Sequence, residues 1–228
     1  MNTIVRSPAG RAAVAAFVVF TLAARLVAAD PSPSQRWEKA ILAFEAADKK
    51  SPPPQGAVLF IGSSGIALWK TLAQDFPEHK VINRGFGGSQ IADSVYYADR
   101  IVIPYRPRLI VLRAGSNDIH AGKTPEQVLA DFTAFVEKVR AKLPDTRIAF
   151  MTINPSPARW KNVEREKKAN RLIQEYVAAH KNLDYIDSFS PMLGPDGKPR
   201  DELYVKDRLH CNAAGYKLWT EIVRPHLR

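Results

Sequence analysis

Residues 57–65, Ala-Val-Leu-Phe-Ile-Gly-Ser-Ser-Gly, decide the fold of this chain. Ala57 to Ile61 is a continuous apolar run too short for a helix, the pattern of a strand covered on both faces. Gly62-Ser63-Ser64-Gly65 then breaks the run at once. Working outward, similar runs recur at Lys80 to Ile82, Leu109 to Leu112, Ile148 to Ile153 and Leu183 to Ile186. Helical spacing fills the gaps between them: Trp37, Ala40, Ile41, Phe44 and Ala47 before the first; Val128, Phe132, Phe135, Val136, Val139 and Leu143 before the fourth; Val163, Leu172, Ile173, Tyr176 and Val177 before the fifth. A last helix begins at Ala213, with Tyr216, Trp219, Ile222 and Val223. Thr124-Pro125-Glu126-Gln127 is a capping box with proline at the first helical position. Five strands alternating with helices predict an α/β fold with a parallel sheet covered on both sides, because parallel neighbours need a helical crossover.

In such sheets functional groups gather at the carboxyl ends of the strands, and the residues there carry chemistry. The first strand delivers Ser64, with its hydroxyl at the sheet edge and its N–H at the start of a helix, although a Gly/Ser turn with an N-cap serine has the same pattern. The second runs into Asn83-Arg84-Gly85-Phe86-Gly87-Gly88-Ser89, a loop able to turn N–H groups toward an anion or simply a tight turn needing positive φ. The third delivers Gly115-Ser116-Asn117-Asp118, a carboxamide donor and a carboxylate that could brace the loop. Before the last helix, Asp207-Arg208-Leu209-His210 spaces a carboxylate to reach an imidazole and fix its tautomer. Each signal alone fits an ordinary turn. Together they supply an acyl-transfer set: Ser64 as nucleophile, His210 as base, Asp207 as orienter, and the N–H of Ser64, the N–H of Gly88 and the amide of Asn117 as an oxyanion hole. Leu203-Tyr204, Trp69 and Phe86 are candidates for an acyl pocket, with core packing their commoner fate.

The blocks FIGSSG, NRGFGGS, AGSND and DRLHCNAAGY, in that order, resemble the SGNH or GDSL hydrolases over nearly all of residues 56–228. The resemblance implies a flavodoxin-like three-layer α/β/α sandwich on a five-stranded parallel sheet, and serine esterase or acylhydrolase chemistry without metal or other cofactor. By motif position it implies the same Ser64, Gly88, Asn117, Asp207 and His210. One departure stands out. The Gly-Asp-Ser of the family reads Gly62-Ser63-Ser64 here, which bears on support of the loop more than on the reaction. Asn154 to Trp160 also resembles a segment of bacterial members and reads as a loop near the site or a packing element.

Composition narrows the partners. The 228 residues are 46% apolar and carry 33 Lys+Arg against 23 Asp+Glu, a net +10. Arg6, Arg11 and Arg25 fall in residues 1–29 with no acid, so the remainder carries +7, in short clusters without interleaved aromatics. A nucleic-acid surface is therefore not expected. Residues 1–29 read as an export signal with cleavage near Ala29: Arg6 and Arg11, the apolar run Ala12 to Ala24, then Val27-Ala28-Ala29. Residues 30–55 read as a linker and helix. A run of 13 residues is well short of the ~20 that span a bilayer, so the mature chain is expected periplasmic or secreted, with a small-molecule, glycan or lipid ester as substrate. Cys211 is the single cysteine and excludes an internal disulfide. Two rival functions are a metal-dependent phosphoesterase using Asp118, His120, Asp207 and His210, and a non-catalytic carbohydrate-binding module of the same fold.

Overall fold

The computed structural model describes Met1 and residues 32–228; the export-signal reading falls outside the described residues. Five strands form one all-parallel sheet: β1 (Val58–Gly62), β2 (Val81–Gly85), β3 (Leu109–Arg113), β4 (Arg147–Met151) and β5 (Leu183–Ile186). Their spatial order is β2-β1-β3-β4-β5. The helices are α1 (Glu38–Lys50), α2 (Ser64–Ala67), α3 (Leu72–Asp75), α4 (Ile91–Ile101), α5 (Ser116–His120), α6 (Pro125–Arg140), α7 (Val163–Ala178) and α8 (Ala213–Val223). The α/β sandwich read from the sequence is the observed architecture.

Alternation along each strand sorts the core into two layers, because successive side chains point to opposite faces. Leu59, Ile61, Ile110, Leu112, Ile148 and Phe150 face one way, onto Ile41 of α1, Tyr97 of α4, Phe132 and Phe135 of α6 and Ile173 of α7. Val58, Phe60, Leu109, Val111, Ala149 and Met151 face the other way, onto Ile66, Trp69, Leu72, Trp219 and Val223. Helices α2 and α3 have four residues each, far below the ~12 at which an isolated helix becomes even marginal. Burial holds them: each large apolar side chain removed from water contributes roughly 1.5–3 kcal/mol. The turn that starts at Ser64 is thus fastened by Ile66 and Trp69 below it.

Three details differ from the sequence reading. Strand β2 continues through Asn83-Arg84-Gly85, where a loop was expected, because these residues pair in register with Phe60, Ile61 and Gly62. Arg84 is buried there, with its guanidinium bonded to Asp48 and to the Tyr105 hydroxyl. Strand β4 ends at Met151 rather than Ile153, since β5, its only partner beyond Phe150, ends at Ile186. Ser34, at the end of the expected linker, is buried, and its Oγ donates to Asp93 at 2.6 Å. Thr124 caps α6 as expected, with both hydrogen bonds of the capping box formed.

Candidate active site

Three strand ends and one C-terminal turn converge on a cavity of about 360 Å³ that includes Ser64, Gly88, Asn117 and His210 in its lining. Ser64 opens α2 directly after β1. Ser63, the departure from Gly-Asp-Ser, is buried. Its N–H donates to the Arg113 carbonyl at 3.2 Å, and its own carbonyl accepts from Ile66 and Ala67. These backbone bonds support the loop whatever side chain stands at position 63. As the first helical residue, Ser64 has an N–H without a partner in the turn.

The Asp207–His210 segment lies in a tight loop in which Arg208 N–H donates to the Val205 carbonyl at 2.8 Å and Val205 N–H to the His210 carbonyl at 2.9 Å, with Arg208 at φ +57°. An antiparallel bridge of Tyr204 with Cys211 holds the base of the turn. Asn212, just beyond, caps α8 through Gly215. The turn folds the Asp207 carboxylate back: Oδ1 accepts from the N–H groups of Leu209 and His210 at 2.8 and 2.9 Å, and Oδ2 lies 2.6 Å from His210 Nδ1. His210 Nε2 lies 2.9 Å from Ser64 Oγ. These bonds, that to the imidazole foremost, lower the Asp207 pKa to about 2. An ionised carboxylate only accepts, so the Nδ1 of His210 carries the proton and Nε2 presents a lone pair to the serine hydroxyl.

Gly88 reaches the cavity from the loop after β2 at φ +78°, a conformation that favours glycine, and a Cβ there would meet the Trp37 ring at 3.1 Å. Asn117, the second residue of α5, donates through Nδ2 to the Ser89 carbonyl at 2.9 Å. Its Oδ1 accepts from Arg159 Nη1, also at 2.9 Å. Held at both ends, the amide keeps one N–H free to turn to the cavity. The structure therefore brings together all five residues named from the sequence.

Other expectations part company. Asp118 is fully buried and does brace the loop: Oδ1 accepts from Ile91 N–H and Lys123 Nζ at 3.2 and 3.1 Å. Burial raises its pKa. His120 is exposed, and among the described residues no group of three or more His, Cys, Asp or Glu is placed to hold a metal. The ligand set of the phosphoesterase rival is not assembled. All four acyl-pocket candidates pack in the core, and of them Tyr204 also lines the cavity. Cys211 is buried and its thiol is pushed up to about 12, the state of an inert small apolar group. The 154–160 segment does reach the site, with Asn154, Pro155, Ser156 and Arg159 in the lining. Two residues that strand and motif patterns did not single out are Arg113, the last residue of β3, and Glu166 of α7. Glu166 accepts from Ser116 Oγ at 3.0 Å, and burial pushes its pKa up to about 7. A cation closing the apolar run Leu-Ile-Val-Leu was the available signal for the first.

Residues 60–218 match the GDSL-like Lipase/Acylhydrolase family. The chain belongs to that family. Membership makes it, at family level, a hydrolase of ester bonds. Solved structures agree in fold. A protein of Streptococcus pneumonia named for platelet activating factor is 22% identical with a TM-score of 0.76, over 85% of this chain and 94% of that one. A GDSL-like lipase of Bacteroides thetaiotaomicron is 20% identical with a TM-score of 0.68, over 86% and 97%. A lipase/acylhydrolase of Enterococcus faecalis is 21% identical with a TM-score of 0.62, over 75% and 97%. No curated protein sequence matches the chain.

Proposed function

We propose that this chain is an exported serine hydrolase that cleaves carboxylic esters through an acyl-enzyme on Ser64. The observation that carries the reading is the continuous relay from Asp207 Oδ2 through the His210 ring to Ser64 Oγ, at 2.6 and 2.9 Å. In this reading Ser64 Oγ attacks the ester carbonyl carbon while His210 Nε2 takes the hydroxyl proton. The carbonyl oxygen becomes an oxyanion, and the N–H groups of Ser64 and Gly88 and the free N–H of the Asn117 amide donate to it. The tetrahedral adduct collapses as His210 returns the proton to the departing alcohol. Water then attacks the acyl-serine with the same imidazole as base, and the acid leaves. Asp207 remains ionised throughout, holding the tautomer and stabilising the imidazolium. Arg159 keeps the Asn117 amide turned so that its nitrogen, and not its oxygen, meets the oxyanion.

Export belongs to the same reading: residues 1–29 are removed as a signal, residues 30–55 form the lead-in segment, and residues 56–228 form the hydrolase domain. Among the described residues no helix is long and apolar enough to cross a membrane. A fluorophosphonate probe tests the chemistry, because it reacts only with a serine that a base activates. Peptide mapping by mass spectrometry should find the label on Ser64 in the native chain and lose it in Ser64→Ala. Absence of label from the folded native chain, or label on another serine, would sink the assignment.

A further inference from the structure

The cavity at Ser64 holds a cation whose donors are unspent. Arg113 lines it, and its guanidinium makes no hydrogen bond and no ion pair within 4 Å among the described residues; its Nε is shut off from solvent without a partner. What holds it is packing. The guanidinium lies over the Trp219 ring, 4.8 Å from the centroid. Its Nη1 abuts Gly65, where a Cβ would fall at 2.5 Å, which sets the group beside the residue that follows Ser64. An arginine does not escape such a position by losing its proton, so its charge stays there without a protein partner, at a cost in desolvation.

The balance of charge around it is one-sided. Arg113 and Arg159 line the cavity, and no aspartate or glutamate does. The carboxyl that acts on both is Glu166. It lies behind the lining, bonded to Ser116, with Oε2 unpartnered. Even fully ionised it leaves two guanidiniums with one surplus positive charge. Arg159 Nη1 is already committed to Ser116 and Asn117, whereas no donor of the Arg113 guanidinium has a partner among the described residues. One monoanion cancels the surplus; a dianion would reverse it. A planar carboxylate also matches the fork of a guanidinium.

We propose that Arg113 anchors a carboxylate of the substrate, so that the ester cleaved at Ser64 belongs to an acid or an alcohol bearing a second, ionised carboxyl group. The inference deepens the reading of Ser64 as nucleophile and rests on it. Two pairs of esters separate the acyl side from the alcohol side: 4-nitrophenyl hydrogen succinate against its methyl ester, and 4-acetoxybenzoate against its methyl ester. Each kcat/KM is divided by the hydroxide-catalysed rate of the same compound. In one pair the anion should exceed its neutral partner by about ten-fold or more, the scale of one charge-assisted hydrogen bond. Arg113→Met should bring that ratio to about one, and Arg113→Lys should leave it in between, because the charge stays while the fork is lost. Ratios at or below one in both pairs, or a ratio unchanged in Arg113→Met, would overturn the proposal. If none of the four esters turns over, the nucleophile is read by the fluorophosphonate label on Ser64, and the anchor by calorimetry with succinate and benzoate. Binding that Arg113→Met abolishes supports it, and binding that is absent or equal in the two proteins overturns it.

Discussion

Two segments of this chain each carry an aspartate and a histidine at the mouth of the sheet, and they do opposite things. Asp118 and His120 lie two apart on α5, a spacing that turns side chains to different sides of a helix. The carboxylate goes inward to Ile91 and Lys123, and the imidazole goes to solvent. Asp207 and His210 lie three apart in a turn that the left-handed Arg208 closes, and there the carboxylate meets the ring. The environments differ as well. Asp118 is sealed in and its pKa is raised by burial, whereas Asp207 is about half-exposed, with 49% of its side chain accessible, and its pKa is lowered by hydrogen bonds. Residue type alone does not make a hydrogen-bonded Asp–His pair. Spacing and local backbone do, by deciding whether the carboxylate spends its oxygens on the scaffold or on the imidazole.

The largest effect expected from that contrast lies in the histidines. His210→Ala should lower kcat by about 10³-fold or more, while His120→Ala, on the exposed side of α5, should stay within about two-fold; steady-state assays on one chromogenic ester compare them. Equal losses would erase the distinction.

The aspartates should split by kind of damage rather than by size alone. Asp207→Asn should cost activity, by about ten-fold or more through loss of the tautomer and the imidazolium partner, with an unfolding midpoint near that of the native chain. Asp118→Ala should cost stability, about 1–3 kcal/mol, because Ile91 N–H is left unpaired and Lys123 keeps only Asp131. Urea unfolding beside kcat/KM for both variants places them on the two axes. An Asp118 variant that keeps its stability and loses turnover would move this residue into the chemistry.

Acid titration is the subtlest separation. The Asp207 pKa is depressed, so its contribution to stability is complete above the unfolded value near 3.9 and is lost as pH falls toward about 2. The Asp118 pKa is raised, so the folded state keeps that proton to higher pH, and this group favours the folded chain as pH falls. Unfolding free energy measured from pH 5 to 2 should therefore fall less steeply in Asp207→Asn than in the native chain, and more steeply in Asp118→Asn.

Much of this was readable from residue order, and what was not has a common cause. Continuous apolar runs mark the three central strands because a strand buried on both faces admits little else, and turns at Gly62, Gly88, Gly115 and Asp207 mark where groups must emerge. Arg113 and Glu166 carry no such mark. A buried charge obeys neither the strand nor the helix period, and only the packing of β3 against Trp219 and of α7 against Ser116 shows where each lies. Arg84 was misplaced for a related reason. In an edge strand a polar residue can still pair its backbone, so Asn83 to Gly85 read as a loop while their neighbours in β1 held them in the ladder.

The hydrogen bond between His210 and Ser64 joins positions 146 apart in the chain. A contact of such long range forms only after the intervening layers have closed. During synthesis the serine emerges 146 residues ahead of the imidazole, so under the proposed mechanism a chain that has not yet reached His210 cannot cut an ester. Turnover thus doubles as a gauge of complete assembly, and recovery of activity after dilution from denaturant should lag the return of helical signal.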